Sequence, residues 1–126
     1  MGAIVIETSQ SVKQVADAIL ELEKIFARSY PAYVIVDAGD AAERNCTYSL
    51  LVRGETYSQR SFEFEILVGA LHNGGTTIYI PRLAAWRAVL ANIFAGMAGK
   101  STLKEYTQSK TFAKRLAECV GGTINM

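Results

Sequence analysis

The chain has 126 residues, half of them hydrophobic and a fifth charged, which suffices for one self-supporting core and excludes a disordered chain. Its net charge of +1 gives the molecule no overall field for nucleic acid or anionic lipid. Two cysteines, Cys46 and Cys119, stand far apart and read as small buried apolar residues, not as a disulfide framework. No basic stretch leads into an apolar run at the start, so the expected setting is a reducing, cytoplasmic one.

Residues 3–7 form a short β-branched run that predicts a buried strand. Ser11 and Gln14 then stand three apart, the spacing of a capping box. Val12, Val15, Ala16, Ile19, Leu22 and Phe26 follow on one helical face, with Lys13, Asp17, Glu21, Lys24 and Arg28 largely on the other. This helix is expected to end near Ser29, because Pro31 restricts Tyr30 to extended geometry. Residues 33–36 are apolar throughout and predict a second strand. Two such runs joined by one helix are compatible with a right-handed parallel β-α-β unit.

Residues 37–45 are polar with one glycine and read as a loop. Residues 47–53 and 58–68 read as a hairpin about a turn at 54–57. In its second strand Phe62, Phe64, Ile66 and Val68 alternate with Ser61, Glu63 and Glu65, the pattern of a strand with one wet face. His72-Asn73-Gly74-Gly75 suits a tight turn, since Asn and Gly accept positive φ. Residues 76–80 return as a strand.

After Pro81 the character changes. Residues 83–99 are almost entirely apolar, interrupted by Arg87 and Asn92, and their Ala-rich composition predicts a helix that Gly96 and Gly99 loosen and end. A last helix is expected from about Ser101 or Leu103 to Val120, stopped by Gly121-Gly122. Residues 123–126 are left as a frayed tail or a short edge strand. The fold class that follows is α+β: one domain over residues 1–126, with a mixed or antiparallel sheet of about five strands. One N-terminal and two C-terminal helices complete the order β-α-β-β-β-β-α-α.

No set of residues points to catalysis, and none implies a cofactor or a metal centre. The segment from Gly96 to Thr102 superficially suggests a phosphate loop, but Phe94 stands where that loop needs glycine, and a helix precedes it where a strand is required. His72 is the only histidine, and it lies in a turn. Asp37, Asp40 and Glu43 offer hard oxygen ligands after a strand, and with Arg53, Arg60 or His72 they define the alternative of a small enzyme or a ligand- or metal-binding protein. Their spacing matches no Ca²⁺-loop pattern, so a solvated acidic turn is the plainer reading. Five of the six tyrosines lie between Tyr30 and Tyr79, but Glu55, Glu63 and Glu65 among them argue against stacked nucleic acid.

Charge is divided along the chain. Residues 1–81 hold six Lys/Arg against ten Asp/Glu, and residues 82–126 hold seven against two. Lys100, Lys104, Lys110, Lys114 and Arg115 in the last helix could form a basic stripe able to meet nucleic acid, an acidic protein or the acidic part of the same chain. Within 83–99 the large residues Leu83, Trp86, Leu90, Ile93, Phe94 and Met97 gather on one broad side, with Ala84, Ala88, Ala91, Ala95 and Gly99 on the other. Asn92 is counted with that second, small-residue side. The stretch is too short and too interrupted for a membrane span. The leading expectation is therefore a non-catalytic interaction domain that associates with itself or with another protein through the face carrying Ala84, Ala88, Ala91, Asn92, Ala95 and Gly99. Inhibitor, immunity-type partner, adaptor and assembly subunit are the roles such a domain fits.

Overall fold

The computed structural model describes residues 3–56, 61–81 and 98–125. Their elements are strand β1 (Ile4–Thr8), helix α1 (Val12–Ser29) and strands β2 (Val34–Asp37), β3 (Tyr48–Glu55), β4 (Ser61–Ala70) and β5 (Thr76–Ile80), then helix α2 (Ala98–Val120) and strand β6 (Thr123–Asn125). The six strands make one antiparallel sheet in the order β2-β3-β4-β5-β1-β6.

The class is α+β as the sequence implies, but the strand count and order differ. Residues 123–125 are a sixth strand, paired with β1, where about five strands were expected. The parallel β-α-β unit is not formed. β1 pairs with β5 and β6, while β2 lies at the far edge beside β3. An apolar run is compatible with either sheet type, and only long-range pairing decides between them. Of the two C-terminal helices, the one expected over 83–99 falls outside the described residues apart from its end. That end is corrected: Gly99 belongs to α2, which includes residues from Ala98 onward.

Local chemistry accounts for where the elements begin and stop. Ser11 caps α1: its Oγ accepts from the Gln14 N–H at 3.2 Å, and Gln14 Oε1 accepts from the Ser11 N–H at 2.8 Å. A cap of this kind stabilises a helix by about 1 kcal/mol. The turn between β4 and β5 closes through Leu71 N–H to Gly75 O at 2.8 Å, with Gly74 at φ +86°. At the end of α2, Gly121 takes φ +62° and the Gly122 N–H returns to Ala117 O at 2.9 Å, which satisfies an otherwise orphaned helix carbonyl. The β3–β4 hairpin departs from expectation. Gly54 is a strand residue, paired with Phe62, not a turn residue, and the rings of Phe62 and Tyr33 over it leave no room for a side chain.

Both described helices pack on one face of the sheet. Ile4 and Ile6 of β1 stand opposite Ile80 and Ile78 of β5 on this side, beside Val68, Ile66, Phe64 and Phe62 of β4 and Val52 of β3. Val15, Ile19, Leu22 and Phe26 of α1 and Phe112, Ala113, Leu116, Ala117 and Val120 of α2 close over them. The Phe112 ring lies 5.7 Å from Phe26 and 5.8 Å from Phe64, centroid to centroid, which knits the two helices to the centre of the sheet. Glu23 of α1 reaches the edge strand and its carboxylate accepts the Ile35 N–H, so one free donor of that edge is capped from within the chain.

Candidate functional site: the second face of the sheet

With both helices on one side, the side chains that alternate with the core residues form a second face. The strand registers give its rows. One row runs Ser49, Leu67, Tyr79, Val5, Asn125 across β3, β4, β5, β1 and β6. Beside it run Gly69, Thr77, Glu7 and Thr123 on one side and Val36, Leu51 and Glu65 on the other. Val34, Arg53 and Glu63 complete the set. Val34 and Tyr79 are each 40 % exposed, and Val5, Val36, Leu51 and Leu67 are half-buried.

Residues 38–47 fold back over part of this face. The Ala38 N–H donates to Ser49 O at 2.8 Å and the Thr47 N–H to Val68 O at 2.8 Å, pinning both ends of the segment to the sheet. Ser49 is buried beneath it at 1 % exposure. Arg44 ties the segment down, with Nη2 3.1 Å from Glu65 Oε2 on β4 and Nη1 3.4 Å from Asp40 Oδ2. Ser49 and then Arg44 hold the Asp40 carboxyl below its ordinary range, although Asp40 Oδ1 is buried and makes no well-aligned hydrogen bond. Glu65, followed by Asp40, pushes the Arg44 guanidinium further toward its charged form. The strip of sheet between this segment and β5 is a shallow open groove lined by Arg44, Cys46, Leu67, Gly69, Ala70, Thr77 and Tyr79.

The acidic set named from the sequence does not converge. Asp37 Oδ1 accepts the Gly39 N–H at 2.7 Å, a local turn, while Asp40 is engaged with Arg44 and Glu43 is exposed. Among the described residues no cluster of three or more His, Cys, Asp or Glu side chains has a metal-holding arrangement. Arg53 lies on the second face, bound to Glu63 at 3.0 Å, and His72 is exposed in its turn. The cysteines depart from the buried reading: Cys119 is exposed, and Cys46 is half-buried with its thiol facing Tyr48 O at 3.3 Å.

The basic set is divided as well. Lys114 and Arg115 are exposed on the outer side of α2 and Lys110 is half-buried, but Glu118, four residues beyond Lys114, shares the outer side and dilutes its charge. Lys100 and Lys104 lie in the first turns of α2. Ala84, Ala88, Ala91, Asn92 and Ala95 lie outside the described residues. No helix among the described residues is long and apolar enough to cross a membrane.

This second face was missed in the sequence, although its signal was there. The run Val34-Ile35-Val36 is apolar on both sides, whereas an antiparallel edge strand with one wet face should alternate. Val34 and Val36 therefore carry apolar surface on the side that neither described helix covers. No protein-family model matches the chain, and no curated protein is a significant match.

Proposed function

We propose that this protein is a small non-catalytic interaction domain that associates with itself. The observation that carries the reading is the one-sided sheet. Both described helices cover the same face, and the other displays Val5, Val34, Val36, Leu51, Leu67 and Tyr79 with its charges held mostly in pairs. Contiguous apolar surface on a small domain is characteristic of a binding surface. Of the acidic residues, Asp37 is engaged in a local turn and Asp40 and Glu65 in ion pairs with Arg44.

Size-exclusion chromatography with light scattering over a wide concentration range tests the reading. The expected result is a mass that rises with concentration from one chain toward two. A mass fixed at one chain, up to the highest soluble concentration, removes self-association.

A further inference from the structure

We infer that Asn73 is a self-modification site: its side-chain amide is lost to the Gly74 nitrogen through a cyclic imide, leaving isoaspartate or aspartate, at a rate that the closed β4–β5 turn controls. The inference is independent of the association proposed above.

Asparagine is a chemically labile residue, and of the four in the chain only Asn73 precedes a glycine. Glycine has no Cβ to crowd a ring formed at its own nitrogen, and it leaves the backbone free to reach the ring's geometry. The reaction needs no partner but water. The Gly74 nitrogen gives up its proton and attacks Asn73 Cγ. The new N–Cγ bond closes a five-membered ring, the Cγ–Nδ2 bond breaks, and the amide nitrogen leaves with that proton as ammonia. Water then opens the ring. Attack at Cγ breaks the bond just made and leaves aspartate. Attack at the Asn73 carbonyl carbon breaks the original peptide bond instead, and the main chain then runs through Cγ as isoaspartate. Nothing is oxidised or reduced: a carboxamide and water become a carboxylic acid and ammonia.

His72, Asn73 and Gly74 are exposed, yet the turn holds both reacting groups away from the ring. The Gly74 N–H, whose proton must go, donates to Leu71 O at 3.1 Å. Asn73 Oδ1 accepts the Gly75 N–H at 2.9 Å, so the amide is committed one residue beyond its target nitrogen. The Leu71 N–H donates to Gly75 O at 2.8 Å and closes the turn around them. The base of the turn is seated on the loop after β1. A Cβ on Gly75 would lie 2.5 Å from Thr8 O, and the Thr76 hydroxyl donates to Gln10 O at 2.8 Å. Ring closure therefore waits for the turn to open, and a site competent only when open reacts at the open fraction of its full rate. The two products then differ. Aspartate keeps Oδ1 in place and strengthens its bond to the Gly75 N–H with charge. Isoaspartate adds a main-chain carbon between Leu71 and Gly75, so the bonds of the turn cannot all be remade.

The test is to hold the full chain at neutral pH, folded and in urea, and to follow the tryptic peptide 61–82 by mass and by isoaspartate content. The peptide is expected to gain about one dalton as the amide becomes an acid. Conversion is expected to be at least about tenfold slower in the folded chain than in urea. Asn73→Ser, which keeps a hydroxyl acceptor and has no amide, is expected to show no gain. Asn73→Asp is expected to keep the Tm of the natural chain, and the aged isoaspartate fraction to fall below it. A folded chain that stays unconverted through storage many times longer than the unfolded chain needs overturns the site. A folded rate equal to or above the urea rate overturns control by the turn, since the Gly75 N–H would then be drawing charge onto Oδ1 and promoting attack. An isoaspartate fraction with the natural Tm overturns the effect on the turn.

Discussion

The Thr8 hydroxyl donates to the Val120 carbonyl at 2.7 Å, joining the end of β1 to the last turn of α2 across 112 residues of sequence. Thr8 is buried at 7 % exposure, and its Oγ1 also accepts the Gln10 N–H at 3.2 Å. The bond stands where the chain turns from α2 into β6, so it sets where the last strand begins to pair. Thr8→Val keeps the shape and removes the hydroxyl, leaving a buried carbonyl unsatisfied. The expected loss is about 1–3 kcal/mol, read from urea unfolding midpoints. An unchanged midpoint would mean that water replaces the hydroxyl without cost.

The two strand glycines on β3 and β4 should respond in opposite directions. Gly54→Ala drives a methyl to 2.6 Å from Phe62 Cζ and 3.1 Å from Tyr33 Cδ2, into the aromatic cluster that closes this end of the core. Overpacking of this kind costs about 1–3 kcal/mol. Gly69→Ala meets open space and should be neutral or slightly stabilising. Chemical denaturation of the two variants side by side reads the difference, and equal effects would contradict the packing described.

Tyr33 gives the fold an alkaline limit. Burial first, then Tyr30 and Glu23, push its phenol well above the ordinary value of 10.0. A folded-state pKa raised above the unfolded one gives stability that is complete below pH 10 and lost as pH climbs from there toward the folded value. The contribution of this single group falls by at most about 1.4 kcal/mol per pH unit in that window. Unfolding free energies measured between pH 9 and 11 should decline less steeply for Tyr33→Phe than for the natural chain. Parallel curves would place the alkaline loss elsewhere.

What the sequence determined by itself are the features written in contiguous residues. The Ser11–Gln14 box, the Val15–Ile19–Leu22–Phe26 face, the turn about Gly74 and the stop at Gly121 each depend on groups a few positions apart, so local sterics and hydrogen bonding decide them. The tertiary structure alone decided what depends on distant pairing. Strand order placed Val34 and Val36 at an open edge instead of inside a parallel unit. Phe62 and Tyr33, not a turn, explain Gly54. Arg44 reaches from its own loop to Glu65 and occupies the acidic segment that looked ready for a cation. Nor does any stretch of sequence show that the helices share one side of the sheet, because an alternating strand has the same pattern whichever side is covered. The apolar second face, bare of both described helices, follows from that tertiary choice.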